Sequence, residues 1–201
     1  EIGYDVYHKI LDEAVRELKS EHFSELFEEE IRQQQAVLVD DCQIDMEVEM
    51  RIPQSYLPNT AERLSFYRKI ADAMDEKKRR ELMKQMIDRF GPLPQEVLNL
   101  FDATRIRSIA VKIGLEKVIL KDAGLRLYFV SDKESVFYRS SRFQRLIEYI
   151  TTFSARVQLK ESDKYLSIRY MKDVKDIKTV LDLVEELRDF MNLEVVPAAS
   201  E

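Results

Sequence analysis

Asp88 is the side chain whose type and position are most at odds with its surroundings. It lies in Ile87-Asp88-Arg89-Phe90-Gly91-Pro92-Leu93-Pro94. Gly91 suits the left-handed position just past a helix C-terminus. Pro92 forbids continuation, and Pro94 has the fixed φ that opens a new helix. Asp88 therefore falls in the last turn of a helix. There the helix dipole disfavours a negative charge by roughly 0.3–1 kcal/mol. Lys84 precedes it by four, but Lys before Asp is the weaker order for such a pair. Two readings follow. Asp88 is kept for contact with a partner, or it pairs with an arginine from elsewhere in the fold, Arg105 or Arg107 on the next helix being candidates. Counting back, Glu81, Gln85 and Asp88 fall at i, i+4 and i+7, one stripe along one helix. With Arg89 they form a candidate protein-interaction face, whose chemistry is charge and hydrogen bonding rather than bond making.

Other chemistry finds less support. Lys77-Lys78-Arg79-Arg80 is the basic run of the chain. It is a candidate nucleic-acid contact through phosphate. It is also flanked by Asp75, Glu76 and Glu81 and has no interleaved aromatics, which reads as a solvated helix face. No Gly-x-x-x-x-Gly-Lys-Ser/Thr loop is present to cradle a nucleotide phosphate. His8 and His22 are far apart in sequence, and no His-Glu-x-x-His or paired-cysteine spacing exists for zinc. Asp40, Asp41 and Asp45 lack the glycine and terminal glutamate of a calcium loop. Cys42 reads as a buried thiol rather than a nucleophile. As the sole cysteine it excludes an internal disulfide and suits a reducing cytoplasm. No nucleophile–base pair can be named, so the reading is a non-enzyme without catalytic, cofactor or metal residues.

The elements follow from periodicity. Residues 1–43 form a helical leader, with apolar positions from Tyr4 to Leu18 at helical spacing, followed by an acidic connector. Twelve acids there face four bases, a net of −8; with the whole chain at −6, the remainder stands at +2. An acidic leader ahead of a nearly neutral body lacks the basic face expected of a nucleic-acid binder. From Ile44 to Met50 apolar and charged residues alternate as in a half-buried strand. Asn59 or Thr60 caps a helix with Leu64, Tyr67, Ile70, Ala71 and Met74 inward. Asp75 caps a second, with Leu82, Met83, Met86, Ile87 and Phe90 inward. A third runs from Pro94 to about Ile113 and is closed by Gly114. Two hairpin-plus-helix units follow. The first pairs 118–120 with 125–130 ahead of a helix near 141–153. The second pairs 156–160 with 165–170 ahead of a helix over 174–191. The expected fold class is α+β: a helical leader, a strand and helix-rich half, then two units forming a small mixed layer. Residues 44–196 make the body and 197–201 a tail. No apolar run approaches the length of a membrane span. The absence of an initiating Met points to a fragment or a processed chain.

Four separated segments resemble one family. Glu1-Ile2-Gly3-Tyr4-Asp5-Val6-Tyr7 through Ala14 is similar to the end of the motor region of bacterial transcription-repair coupling factors. Ile44 to Tyr56, Arg63-Leu64-Ser65-Phe66-Tyr67-Arg68-Lys69-Ile70-Ala71 and the Ile87–Pro94 motif resemble the C-terminal domain of that family. The resemblance covers most of residues 1–115. It implies a parent that is an ATP-hydrolysing, Mg-dependent translocase on double-stranded DNA, which displaces stalled RNA polymerase and recruits nucleotide-excision repair. Its ATPase lobes would lie upstream, so no cofactor is expected in this region. The implied role here is regulatory. The domain would pack on the excinuclease-B-like N-terminal module of the same parent and mask the surface that binds the excinuclease A subunit. An accessory nucleic-acid module using Lys77–Arg80 is the alternative.

Overall fold

A computed structural model describes residues 39–192. The described residues form β1 (Gln43–Met46), α1 (Thr60–Asp72), α2 (Glu76–Phe90), α3 (Gln95–Lys112), β2 (Leu115–Lys121) and β3 (Gly124–Phe129). A 3₁₀ turn at Val136–Arg139 then leads into α4 (Ser141–Thr152), β4 (Val157–Glu161), β5 (Leu166–Tyr170) and α5 (Ile177–Asn192). The expected leader helix, residues 1–38 of the leader and connector, and the tail 197–201 lie outside the described residues.

The fold is α+β. All five strands share one sheet, ordered β1-β2-β3-β5-β4. The two hairpins meet through β3 and β5, which pair antiparallel, and β1 adds itself in parallel beside β2. The alternation expected to carry a strand to Met50 supports a ladder only to Met46. The register is the reason: Met46 lies opposite Leu120, and β2 ends one residue later. Val48 and Met50 still pack toward the core, but their backbone has no strand to pair with. Val39 and Cys42 pack in the same core, so the packed body takes in residues ahead of Ile44. Asp122 and Ala123 both have positive φ at the β2–β3 turn, the geometry that matches the twist of a two-residue hairpin.

Helices α3, α4 and α5 cover one face of the sheet. Their inward residues, such as Ile106, Leu146 and Val184, meet Val118, Leu127 and Ile168 in the main core. A smaller core joins Ile52, Leu57, Phe66, Ile70, Leu82 and Met86 to Val97 and Phe101 of α3. Helix α3 thus serves both cores. Its first half faces the small one and its second half the large one, which explains a helix apolar on more than one side. Its buried polar residues hold backbone carbonyls. The Asn99 amide donates to Glu49 O (2.9 Å), and the Ser108 hydroxyl to Met74 O (2.7 Å).

The inward faces of α1 and α2 differ from expectation. Leu64 is 54% exposed and Ala71 is exposed, whereas Phe66 and Ile70 are buried. Two apolar stripes compete on α1. The one containing Phe66 wins because that ring meets Phe90 edge-on at 5.6 Å. On α2, Leu82 and Met86 point inward while Ile87 is 45% exposed.

One buried polar cluster carries a pH prediction. The hydroxyls of Tyr149 and Tyr170 lie 3.1 Å apart, and Glu186 Oε1 accepts from Tyr149 (3.2 Å) and Arg156 (2.6 Å). Burial pushes the Tyr149 phenol up to about 12 and Tyr170 well above its ordinary range. A phenol with a raised folded pKa stabilises the fold below the unfolded value and loses that contribution as pH rises through the folded one. Stability is therefore expected to hold through neutral pH and to fall between about pH 10 and 12. Keeping Tyr149 neutral over that range is worth roughly 2–3 kcal/mol. Urea unfolding at stepped pH checks this. Tyr149→Phe/Tyr170→Phe should shrink the alkaline loss, leaving the part due to Tyr56, Tyr138 and Cys42, which burial also raises.

Candidate functional site

Helix α2 is pinned at both ends. The Asp75 carboxylate accepts from the backbone of Lys77 (2.8 Å) and Lys78 (3.2 Å), satisfying donors that a helix start leaves open. At the other end Gly91 has φ +87°, and its N–H donates to Ile87 O (2.9 Å). The Tyr56 hydroxyl lies 3.0 Å from Gly91 O and 3.3 Å from Met86 O and donates there. Phe90 is held between Tyr56 and Phe66 by edge-on contacts. A helix fixed in this way presents its outer residues on a rigid frame.

That outer face carries Glu81, Gln85 and Asp88, all exposed. Glu81 and Gln85 line a shallow open groove against α1, together with Lys69, Asp72 and Lys78, over a floor of Ala73 and Leu82. The arginine pairing considered for Asp88 is not formed. Arg105 instead sits 2.5 Å from Glu185 of α5, and Arg107 lies 2.6 Å from Asp41. Arg89 pairs with Glu62 of α1 at 2.5 Å, and its guanidinium lies over the Phe90 ring, 4.9 Å from the centroid. Among the described residues no hydrogen bond or ion pair reaches the Asp88 side chain. Its charge sits at the negative end of α2 without local relief. Ile87 beside it adds exposed apolar surface. Sequence reasoning turned Ile87 inward and so missed it. The signal was present in the spacing, because Leu82 and Met86 define a stripe that Ile87 leaves by about one position.

The basic run is split by the fold. Lys77 and Lys78 are exposed. Arg79 is only 7% exposed, which corrects its reading as part of a solvated face. Its guanidinium donates to Met74 O (2.8 Å), Ala73 O (3.1 Å) and Glu76 Oε2 (2.9 Å). It thereby ties the start of α2 to the end of α1, whose last carbonyls have no helical partner. Arg80 is exposed but bound to Glu76 Oε1 at 2.8 Å. A four-residue phosphate-binding face is not assembled.

The remaining candidates are occupied or inert. The Arg107 guanidinium on Asp41 holds that carboxyl below its usual range, and Asp45 pairs with Lys121 at 2.8 Å. Among the described residues no three His, Cys, Asp or Glu side chains come together as metal ligands. Cys42 is buried, and burial pushes its thiol up to about 12, far from a reactive thiolate. Both histidines lie outside the described residues. No helix among the described residues is long and apolar enough to cross a membrane.

Comparison with known proteins points to one family. Residues 46–140 match the family model of the TRCF domain. A transcription-repair-coupling factor of Haemophilus influenzae is 31% identical over 186 residues, covering 92% of this chain and 15% of that protein. The Escherichia coli transcription-repair-coupling factor is 33% identical over 117 residues, covering 58% of this chain and 10% of that protein. The chain therefore spans only about 15% of the length of such relatives. In fold it resembles a crystal structure of the C-terminal domain of transcription-repair coupling factor, with TM-score 0.60 and 19% identity over 75% of this chain and 91% of that one. A matching domain model, relatives of one name along most of the sequence and a shared fold agree: the chain belongs to the transcription-repair-coupling factor family.

Proposed function

We propose that this region is a non-catalytic regulatory domain, which docks through α2 on the excinuclease-B-like N-terminal module of its parent protein. Docking there masks the surface used by the excinuclease A subunit. On this reading the parent is an ATP-driven DNA translocase that displaces stalled RNA polymerase, and ATP and Mg²⁺ are bound by its motor lobes rather than here. The observation that carries the proposal is Asp88: exposed, unpaired among the described residues, and held at the end of a helix where its charge is unfavourable. Local rules tend to fail where a residue is kept for a partner. Glu81 and Gln85 extend the polar face, and Ile87 supplies apolar contact at its centre. An acidic stripe suits a basic patch on the partner by charge complementarity. The contact can be weak, because two modules of one chain meet at an effective concentration of around millimolar.

Calorimetric titration of this chain with the separately produced N-terminal module tests the reading. Asp88→Lys is expected to weaken binding by at least about tenfold, or ~1.4 kcal/mol. Its thermal midpoint should stay within a few degrees of wild type. Gln85→Glu should strengthen binding severalfold by completing the acidic pattern. In the intact parent, Asp88→Lys should increase capture of the excinuclease A subunit. Equal affinities for wild type and Asp88→Lys would sink the proposal. Nucleic-acid contact through Lys77–Arg80 has less to stand on, since Arg79 is used internally and Arg80 is tied to Glu76.

A further inference from the structure

Among the described residues the helices cover one face of the sheet and leave the other open and basic. Along β2, Lys117, Ile119 and Lys121 alternate with the buried Val118 and Leu120. On β3, Arg126 and Tyr128 alternate with Leu125, Leu127 and Phe129. On β5 and β4, Arg169 and Lys160 point to the same side. The register sets Arg126 directly opposite Arg169, with Gln158 beyond Arg169 on the outer strand. Like charges facing each other across a ladder destabilise it. Neither arginine forms an ion pair or side-chain hydrogen bond among the described residues. Of the acids at the β2–β3 turn, Asp45 pairs with Lys121 and Glu47 accepts from Asp122 N (2.9 Å), while Asp122 itself lines the edge of this face. A concavity of about 280 Å³ lies between the two arginines and that turn.

Aromatic rings stand next to the cations. Half-buried Tyr128 meets Tyr165 edge-on at 5.6 Å, and Lys117 and Lys164 lie 5.8 and 5.2 Å from the Tyr165 centroid. The near-neutral charge of the body hid this face. Strand alternation sorts the cations to one side, while acids such as Asp102, Asp182 and Glu185 lie on helices α3 and α5.

We propose that the open sheet face binds single-stranded nucleic acid, with Arg126 and Arg169 on adjacent backbone phosphates and Tyr128 and Tyr165 against bases. Two uncompensated guanidiniums side by side are a fork for phosphate oxygens. A face of five strands is roughly 19 Å across at about 4.8 Å per strand spacing, room for several nucleotides. Flat basic surfaces with aromatics favour unstacked strands over duplexes, whose bases are closed to stacking. This site is separate from α2 and does not depend on the docking role proposed above.

Fluorescence anisotropy of labelled oligothymidylate with the full chain tests it. Wild type should bind at low salt and weaken as salt rises. Arg126→Gln/Arg169→Gln should weaken binding at least about tenfold and lessen the slope of log K against log salt by about 1.4, the loss of two single-strand phosphate contacts. Removing a like-charge pair should leave the thermal midpoint unchanged or higher. Lys117→Gln/Lys160→Gln, further out on the same face, should weaken binding severalfold, and Lys77→Gln/Lys78→Gln on α2 should not change it. No binding at low salt would overturn the proposal, as would wild-type binding by the double arginine variant. Polyglutamate competing as well as the oligonucleotide would assign the face to an acidic protein segment instead. A duplex competing better than the single strand would remove the single-strand assignment.

Discussion

Phe137→Ala is expected to destabilise the domain by about 3–5 kcal/mol, the range for truncating a buried aromatic. Phe137 sits on the 3₁₀ turn with no exposed surface. It stacks on Phe129 of β3 (5.6 Å, 13°) and meets Tyr138 and Phe143 edge-on at 5.2 and 5.7 Å. The turn itself is held by Ser135, whose hydroxyl accepts from Phe137 N, and by Tyr138, whose hydroxyl donates to Val130 O. With so many groups fixed around the ring, the site cannot collapse to fill the space left by alanine. Urea unfolding should show a lower midpoint with an unchanged slope. Phe137→Leu should cost clearly less. A loss below about 1 kcal/mol for alanine would mean that the aromatic cluster relaxes freely, against the rigid packing described. Folded Phe137→Ala molecules should still dock through α2, which this ring does not touch.

Arg79→Ala should cost about 2–4 kcal/mol, and unlike Phe137→Ala it should also disturb docking. The guanidinium satisfies Ala73 O and Met74 O at the end of α1 and neutralises Glu76. Removing it strands Ala73 O and leaves Met74 O with the Ser108 hydroxyl alone; a buried carbonyl left unpaired costs roughly 1–3 kcal/mol. Glu76 is nearly half exposed, so the ion pair itself adds little to that sum. Arg79→Lys restores a charge but not the planar fork and should fall between. Ser108→Ala probes the same carbonyl, Met74 O, from α3. The two losses should be non-additive, because each group partly covers for the other. Additive losses would show that the junction is not shared. The calorimetric assay should also register Arg79→Ala as weaker docking, since the lost tie lets α2 shift relative to α1.

What the sequence made legible follows the range of each interaction. Asp75, Gly91, Pro94 and Gly114 mark helix ends by backbone chemistry within a few residues, and the elements begin and stop beside them. Both hairpins were readable because their alternation and turn residues are local. The burial of Phe66 over Leu64 was not, since it depends on Phe90 arriving from another helix. Likewise β1 is shortened by where β2 ends, which no periodicity in residues 44–50 reveals. The face of Glu81, Gln85 and Asp88 was readable from spacing. That Asp88 stays unpaired was not, because Arg105 and Arg107 are taken by Glu185 and Asp41, partners distant in sequence. The charge sum over the body concealed Arg126 and Arg169 for a related reason: a strand separates its residues by face, and a sum does not.

The short parallel strand β1 has a mechanical consequence. It is the outermost strand on its side of the sheet and the first element of the described body. Any tension applied to the chain ahead of Val39 reaches the domain through β1. The load is met by a ladder of four residues and by the Asp41 bond to Arg107 of α3. Four paired residues place only a few backbone hydrogen bonds between that load and the rest of the sheet. Val39, Cys42 and Met46 belong to the main core and would leave it with β1, while α1 and α2 are held by their own smaller core. A pull from upstream thus meets the shortest strand of the described sheet first, and β1 is expected to be released before the layer of α1 and α2.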